Sequence, residues 1–145
     1  MSKSIEIRPI EQNDFPQWLP LWDGNNTGQR DEAVTTQTWL RLSDPASSVH
    51  GLCALRGGEM IGLVHYVLHP TTGSLAPVCY MQDLYVDPTH RGKGVARKLV
   101  EHLVQIHKRE KWARMYWIAE ADNKAAQKLY KNIGVKIDFT VHVLL

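Results

Sequence analysis

Asp83-Leu-Tyr-Val-Asp-Pro-Thr-His-Arg-Gly-Lys-Gly-Val-Ala-Arg97 joins three local signals in one run. Asp83, Leu84, Tyr85 and Val86 are β-branched, aromatic or apolar enough for a buried strand end. Asp87-Pro88 closes that strand, because proline has no N–H for a ladder. From Val95 a helical pattern begins. Between the two, Arg91, Gly92, Lys93, Gly94, Val95 and Ala96 offer consecutive backbone N–H groups at the positive end of a helix. That arrangement is an anion site.

The neighbours on both sides read as alternating strands and helices. Residues 4–8 alternate as a first strand, ended by Pro9. Phe15, Trp18, Leu19 and Trp22 form a helical stripe that Asp14 would cap, with Pro20 weakening its last turn. Residues 31–42 give a second helix. Residues 49–55 and 60–68 are strand-like and meet at Gly57-Gly58, which predicts an antiparallel hairpin. Residues 78–86 are the next strand. Residues 92–109 give the strongest helix, with Val95, Leu99 and Leu103 beside Ala96, Val100 and Val104. Residues 113–119 predict a strand. Asp122 caps a helix through Ile133, with Gly134 as its C-cap. Residues 137–145 alternate as a final strand. The order β-α-α-β-β-β-α-β-α-β implies an α/β (α+β) fold with a mixed, mostly antiparallel sheet and about four flanking helices.

Length and composition fit one domain, residues 1–145, with no repeat or linker. A net charge of +2 is too small for a nucleic-acid-binding face. No stretch approaches the roughly 18 apolar residues of a membrane span. The start, Met1-Ser-Lys-Ser, has no apolar leader-like run. Two cysteines, Cys53 and Cys79, in apolar surroundings fit a reducing compartment, so the expectation is a cytoplasmic protein. His65 and His69 share a strand face but lack a third ligand at a sensible spacing, so no metal is expected.

The glycine loop has rivals. It is not G-x-x-x-x-G-K-[ST], and it lacks the third glycine of a dinucleotide fingerprint. Instead Arg91-Gly-Lys-Gly94-Val-Ala96 resembles the Q/R-x-x-G-x-G/A signature of the GNAT superfamily of acyl-CoA-dependent N-acyltransferases. Downstream, Asn123-Lys-Ala-Ala-Gln-Lys-Leu-Tyr130-Lys-Asn-Ile-Gly134 resembles that superfamily's second signature. Met81-Gln-Asp-Leu-Tyr-Val and Tyr116-Trp-Ile-Ala-Glu-Ala-Asp-Asn look closest to the branch with yeast histone and D-amino-acid acetyltransferase-like proteins and, more distantly, spermidine/spermine acetyltransferase.

The resemblance implies acetyl-CoA as co-substrate and a primary amine as acceptor, attacked directly in a ternary complex. It places the CoA pyrophosphate on the 91–96 amides, with Arg91, Lys93 and Arg97 adding charge and Asn123 a further contact. Leu84, Tyr85 and Val86 would pair their backbone with the pantetheine arm, as an added strand does. Tyr130 would protonate the leaving thiolate. The polyamine-acetylating relatives carry a glutamate where this chain has Gln82, which cannot act as a base. Asp83 and Glu120 are then the nearest candidate carboxylates, with Gln82 and Asp83 expected on opposite strand faces. A small amine, such as a polyamine or amino acid, is favoured as acceptor. A protein or histone-tail acceptor, or a non-catalytic acyl-CoA-binding module, stands as the alternative. A homodimer is expected from the resemblance.

Overall fold

The computed structural model describes residues 4–145; Met1–Lys3, and with them most of the N-terminal stretch read above, lie outside the described residues. Five strands lie in the order β1-β2-β3-β4-β5. They are β1 (Ile5–Pro9), β2 (Val49–Arg56), β3 (Glu59–His69), β4 (Val78–Val86) and β5 (Arg114–Trp117). The first four pair antiparallel, and β4 and β5 pair in parallel. The parallel pair needs a crossover, which is the helix α3 (Val95–Glu110). The hairpin between β2 and β3 turns where expected, with Gly57 and Gly58 at φ of 59° and 81°.

Each sheet face has its own core. Leu52, Ala54, Val64, Cys79 and Met81 meet α3 through Val95, Leu99, Val100 and Leu103, the stripe read from the sequence. Burying each such aliphatic side chain contributes about 1.5–3 kcal/mol. On the opposite face, α1 (Phe15–Asn25) and α2 (Glu32–Leu42) place Trp18, Leu21, Trp22 and Leu42 over Cys53, Leu55 and Leu63. The two cysteines therefore belong to different faces, and both are free and buried.

Several local expectations change. Helix α1 continues through Pro20 to Asn25. Asp14 precedes it but makes no side-chain cap. Its carboxylate instead takes both guanidinium nitrogens of Arg8, at 2.7 and 2.9 Å, and the Glu11 N–H. The last helix, α4 (Lys124–Lys131), is capped by Asn123, not Asp122: Asn123 Oδ1 accepts from the Ala126 N–H at 3.1 Å. Gly134 is not a left-handed C-cap. A Cβ there would lie 2.7 Å from the Trp117 ring, so the glycine allows the chain to pass close to β5.

Residues 137–145 form no strand, and the element order ends at α4. Alternation creates an apolar face, but a strand also needs an edge to pair with, and this segment pairs with none among the described residues. Ile137, Phe139, Val141, Val143 and Leu145 all remain exposed.

Candidate active site

The parallel pairing of β4 and β5 runs only from Val78↔Arg114 to Met81↔Trp117. Beyond that point β4 continues to Val86 with β3 as its sole strand partner. The sheet splays there and leaves one side of the 82–86 backbone open. A cleft of about 570 Å³ fills the splay. One wall is Leu84, Tyr85, Val86, then His90, Arg91, Gly92, Gly94, Val95, Ala96 and Arg97. The other is Asn123 with the α4 residues Ala125, Ala126, Lys128, Leu129 and Tyr130. The two sequence signatures thus face each other across one cleft.

Local backbone explains the first wall. Gly92 and Gly94 have φ of 75° and 80°, a region that L side chains adopt with strain. Gly94 stands at the N-cap of α3 with no side chain capping the helix, so the first α3 amides face the cleft. A Cβ at either glycine would meet nothing within 4 Å, so the requirement is conformational rather than steric crowding. Gly94→Val is therefore expected to weaken CoA binding at least about tenfold by calorimetry, because a β-branched residue resists this φ by 1–2 kcal/mol or more. Wild-type affinity in that variant would show that the loop geometry does not matter.

The cations divide. Arg91 braces the loop: its Nε donates to Val86 O at 2.9 Å and its guanidinium lies over the Tyr85 ring, 5.3 Å from the centroid. Arg97 lines the cleft, but Lys93 does not. Two basic residues not singled out from the sequence, His90 and Lys128, do line it. The Nδ1 of His90 is buried without a hydrogen-bond partner among the described residues, an orphan that a bound polar group would satisfy. The one sequence signal that points to His90 is its place beside Arg91, just before Gly92. Nothing in the sequence separates Lys128 from its exposed neighbours Lys124 and Lys131.

Tyr130 is half-buried on the α4 wall, its ring centroid 5.1 Å from that of Trp117. Burial pushes its phenol above the ordinary value, so the hydroxyl keeps its proton. Burial also pushes the thiols of Cys53 and Cys79 up to about 12, which leaves neither as a thiolate nucleophile.

Asp83 and Glu120 do not line this cleft. The β3–β4 register slips by one between His65↔Asp83 and Tyr66↔Met81, so an extra residue, Gln82, interrupts the strict alternation expected of Gln82 and Asp83. Asp83 is turned toward α1. Its Oδ1 accepts from Asn25 Nδ2 at 3.2 Å, and its Oδ2 lies 3.0 Å from His65 Nδ1. His65, 2% exposed, receives the Trp18 indole N–H on Nε2 at 3.1 Å. An indole N–H only donates, so the ring proton of His65 sits on Nδ1 and is donated to Asp83. Burial alone would raise the Asp83 carboxyl, but the hydrogen bonds from His65 and the Asn25 amide outweigh it and hold Asp83 below the usual carboxylate range. Glu120 is exposed; its backbone carbonyl, not its carboxylate, serves Asn123 N and Gln127 Nε2. His69 turns to Tyr116, and no group of three metal-ligating side chains occurs among the described residues.

Residues 6–135 match the Acetyltransferase (GNAT) family. The chain belongs to this family. It is accordingly an acetyl-CoA-dependent N-acetyltransferase. A D-amino-acid N-acetyltransferase, HPA3, of Saccharomyces cerevisiae is 34% identical over 139 residues, 92% of this chain and 86% of the yeast protein. Among solved structures, a ribosomal-protein-alanine N-acetyltransferase from Brucella melitensis biovar Abortus 2308 superposes with a TM-score of 0.83 at 22% identity, covering 98% of this chain and 99% of that one. The aminoglycoside acetyltransferase AAC(6')-Iy, in complex with a CoA-containing bisubstrate analogue, also gives 0.83, at 19% identity over 98% of this chain and 97% of that one. These last two likenesses establish the fold.

Proposed function

We propose that the enzyme transfers the acetyl group of acetyl-CoA to a primary amine of a small molecule by direct attack in a ternary complex. The cleft that joins an open β4 backbone, a glycine-opened helix N-terminus and Tyr130 carries this reading. The 84–86 backbone would pair with the peptide-like arm of the co-substrate, and the amides at the start of α3 would take its pyrophosphate, with Arg97, His90 and Lys128 adding charge. Acetyl-CoA supplies the activated thioester. The amine nitrogen attacks its carbonyl carbon, the C–S bond breaks, the Tyr130 O–H gives its proton to the departing sulfur, and the proton that the new amide nitrogen sheds restores the phenol through water.

Of the two candidate carboxylates, Asp83 fits the amine better than Glu120. Held anionic by two donors, it is a weak proton store but a good counter-charge for an ammonium, whose proton then leaves to water. Asp83→Asn is expected to lower kcat/KM for the amine about ten- to hundredfold. Because its carboxyl is held below the usual carboxylate range, Asp83 is ionised throughout the neutral and alkaline range, so the rise of kcat/KM with pH there reports the amine, with its ordinary pKa of about 10, in enzyme and variant alike. A limb near neutral pH that the substitution removes would instead make Asp83 the base. Thiol release from acetyl-CoA with a pooled amine panel tests the function as a whole; release with no amine, or none at all, would favour a binding module.

The reading extends to a homodimer in the cytoplasm. The exposed apolar alternation of residues 137–145 supports self-association, which sedimentation would test. Cys53 and Cys79, buried on opposite faces of the sheet, form no bridge that would need an oxidising compartment.

A further inference from the structure

Gly24 stands in the last turn of α1, inside the helix. Its φ lies outside the left-handed region, so its backbone does not call for glycine. A helix interior also disfavours glycine relative to alanine. The reason for it lies on β4. A Cβ at Gly24 would meet the Tyr85 hydroxyl and stand 2.6 Å from Tyr85 Cζ and 3.1 Å from Cε2. The three nearest atoms all belong to that one side chain. The tip of Tyr85 therefore occupies the space a side chain would fill.

The same ring belongs to the wall of the CoA cleft, beside Val86 and Arg91. The Arg91 guanidinium lies over it, and Arg91 Nε is bonded in turn to Val86 O. A line of contacts thus runs from α1 through Tyr85 to the bend that enters the glycine loop. If that line is crowded at Gly24, one partner must yield. The helix is the firmer one. Trp18, Leu21 and Trp22 bury its inner face, and Asn25, next in the chain, donates to Asp83. Tyr85 is half-buried, and the crowded atoms are the far end of its side chain. The ring would move, and Arg91 rests on the ring.

We infer that Gly24 is a positioning residue for the CoA cleft: its missing side chain seats the Tyr85 ring, and the ring seats Arg91 at the entry to the glycine loop. The inference rests on the CoA reading of the cleft given above. Gly24 does not line that cleft itself and acts through Tyr85. Two consecutive residues of one helical turn then serve both substrates, Gly24 the co-substrate's wall and Asn25 the Asp83 carboxylate.

The test is a double-mutant cycle read by calorimetry with CoA. Gly24→Ala is expected to weaken CoA binding about tenfold, the size of one partly enclosed cation–π contact, although alanine is the better helix former. KM for acetyl-CoA should rise by more than kcat falls, because Tyr130 stands on the other wall. Tyr85→Leu removes the ring and should itself weaken CoA about tenfold. Gly24→Ala added to Tyr85→Leu should then cost less than about twofold more, because no ring is left to displace. Wild-type CoA affinity in Gly24→Ala overturns the inference. So does a second tenfold loss in the Tyr85→Leu background, which would show that Gly24 acts by another route. Should Gly24→Ala fail to fold, Tyr85→Leu decides alone, since unchanged CoA affinity there would show that the ring seats nothing. A wild-type protein that binds no CoA overturns the cleft reading and this inference together; the other contrary outcomes leave the cleft reading standing.

Discussion

Tyr130→Phe is expected to lower kcat by about ten- to a thousandfold while leaving CoA affinity nearly intact. The substitution removes one oxygen and little else. The ring keeps its place against Trp117, and the α4 wall keeps Asn123, Lys128 and Leu129. In the proposed binding mode CoA draws on the β4 backbone and the α3 amides, which lie on the opposite wall, so calorimetry with CoA should scarcely change. Turnover should fall because the thiolate must then leave without a positioned proton. Burial raises this phenol above its ordinary value of about 10, so wild-type kcat should show no loss from Tyr130 ionisation below about pH 10. Unchanged kcat in the variant would remove Tyr130 from the mechanism. A parallel loss of CoA affinity would make it a binding residue instead.

Tyr130 was singled out by the resemblance of residues 123–134 to a family signature, and spacing supplies one physical reason that it shares a cleft with Asn123. Asn123 and Tyr130 lie seven residues apart, close to two helical turns, so a helix at that point puts both on one face. The α3 stripe was legible for the same reason, since four-residue repeats survive any rigid packing. The Trp18–His65–Asp83 chain was not. Its members lie on α1, β3 and β4, 47 and 18 residues apart, and only the tertiary fold joins them. The direction of Asp83 was equally hidden, because a one-residue slip in register leaves no local mark on the sequence but breaks the alternation around Gln82. Residues 137–145 show the converse failure. Their alternation is real, but period two states only which side chains share a face, and not whether an edge is there to receive them. Gly134 was misjudged for a related reason: a glycine after a helix signals a cap locally, whereas the need here comes from Trp117, on another element.

The largest stability effect is expected at Trp18, where core and site meet. It is 0% exposed, stacks on Trp22 at 5.3 Å and 13°, and lies 4.9 Å from the Trp39 ring. Trp18→Ala would leave a large cavity and an unpartnered Nε2 on buried His65. The cavity costs about 3–5 kcal/mol and the orphaned acceptor about 1–3 more, against a total stability of about 5–15 kcal/mol. The variant should lose most of its resistance to urea, with the midpoint falling by about 2 M. Trp18→Phe separates the two contributions. It retains much of the ring volume but not the N–H, so the His65 proton is no longer confined to Nδ1 and Asp83 loses a fixed donor. Its stability should fall by only about 1–3 kcal/mol. Its kcat/KM for the amine should nonetheless fall further than its CoA affinity, because the disturbed chain ends at Asp83 and not in the CoA cleft. If Trp18→Phe instead matched the wild type in both urea midpoint and amine kcat/KM, the indole would be filling space alone, and the orientation of Asp83 would have to come from Asn25.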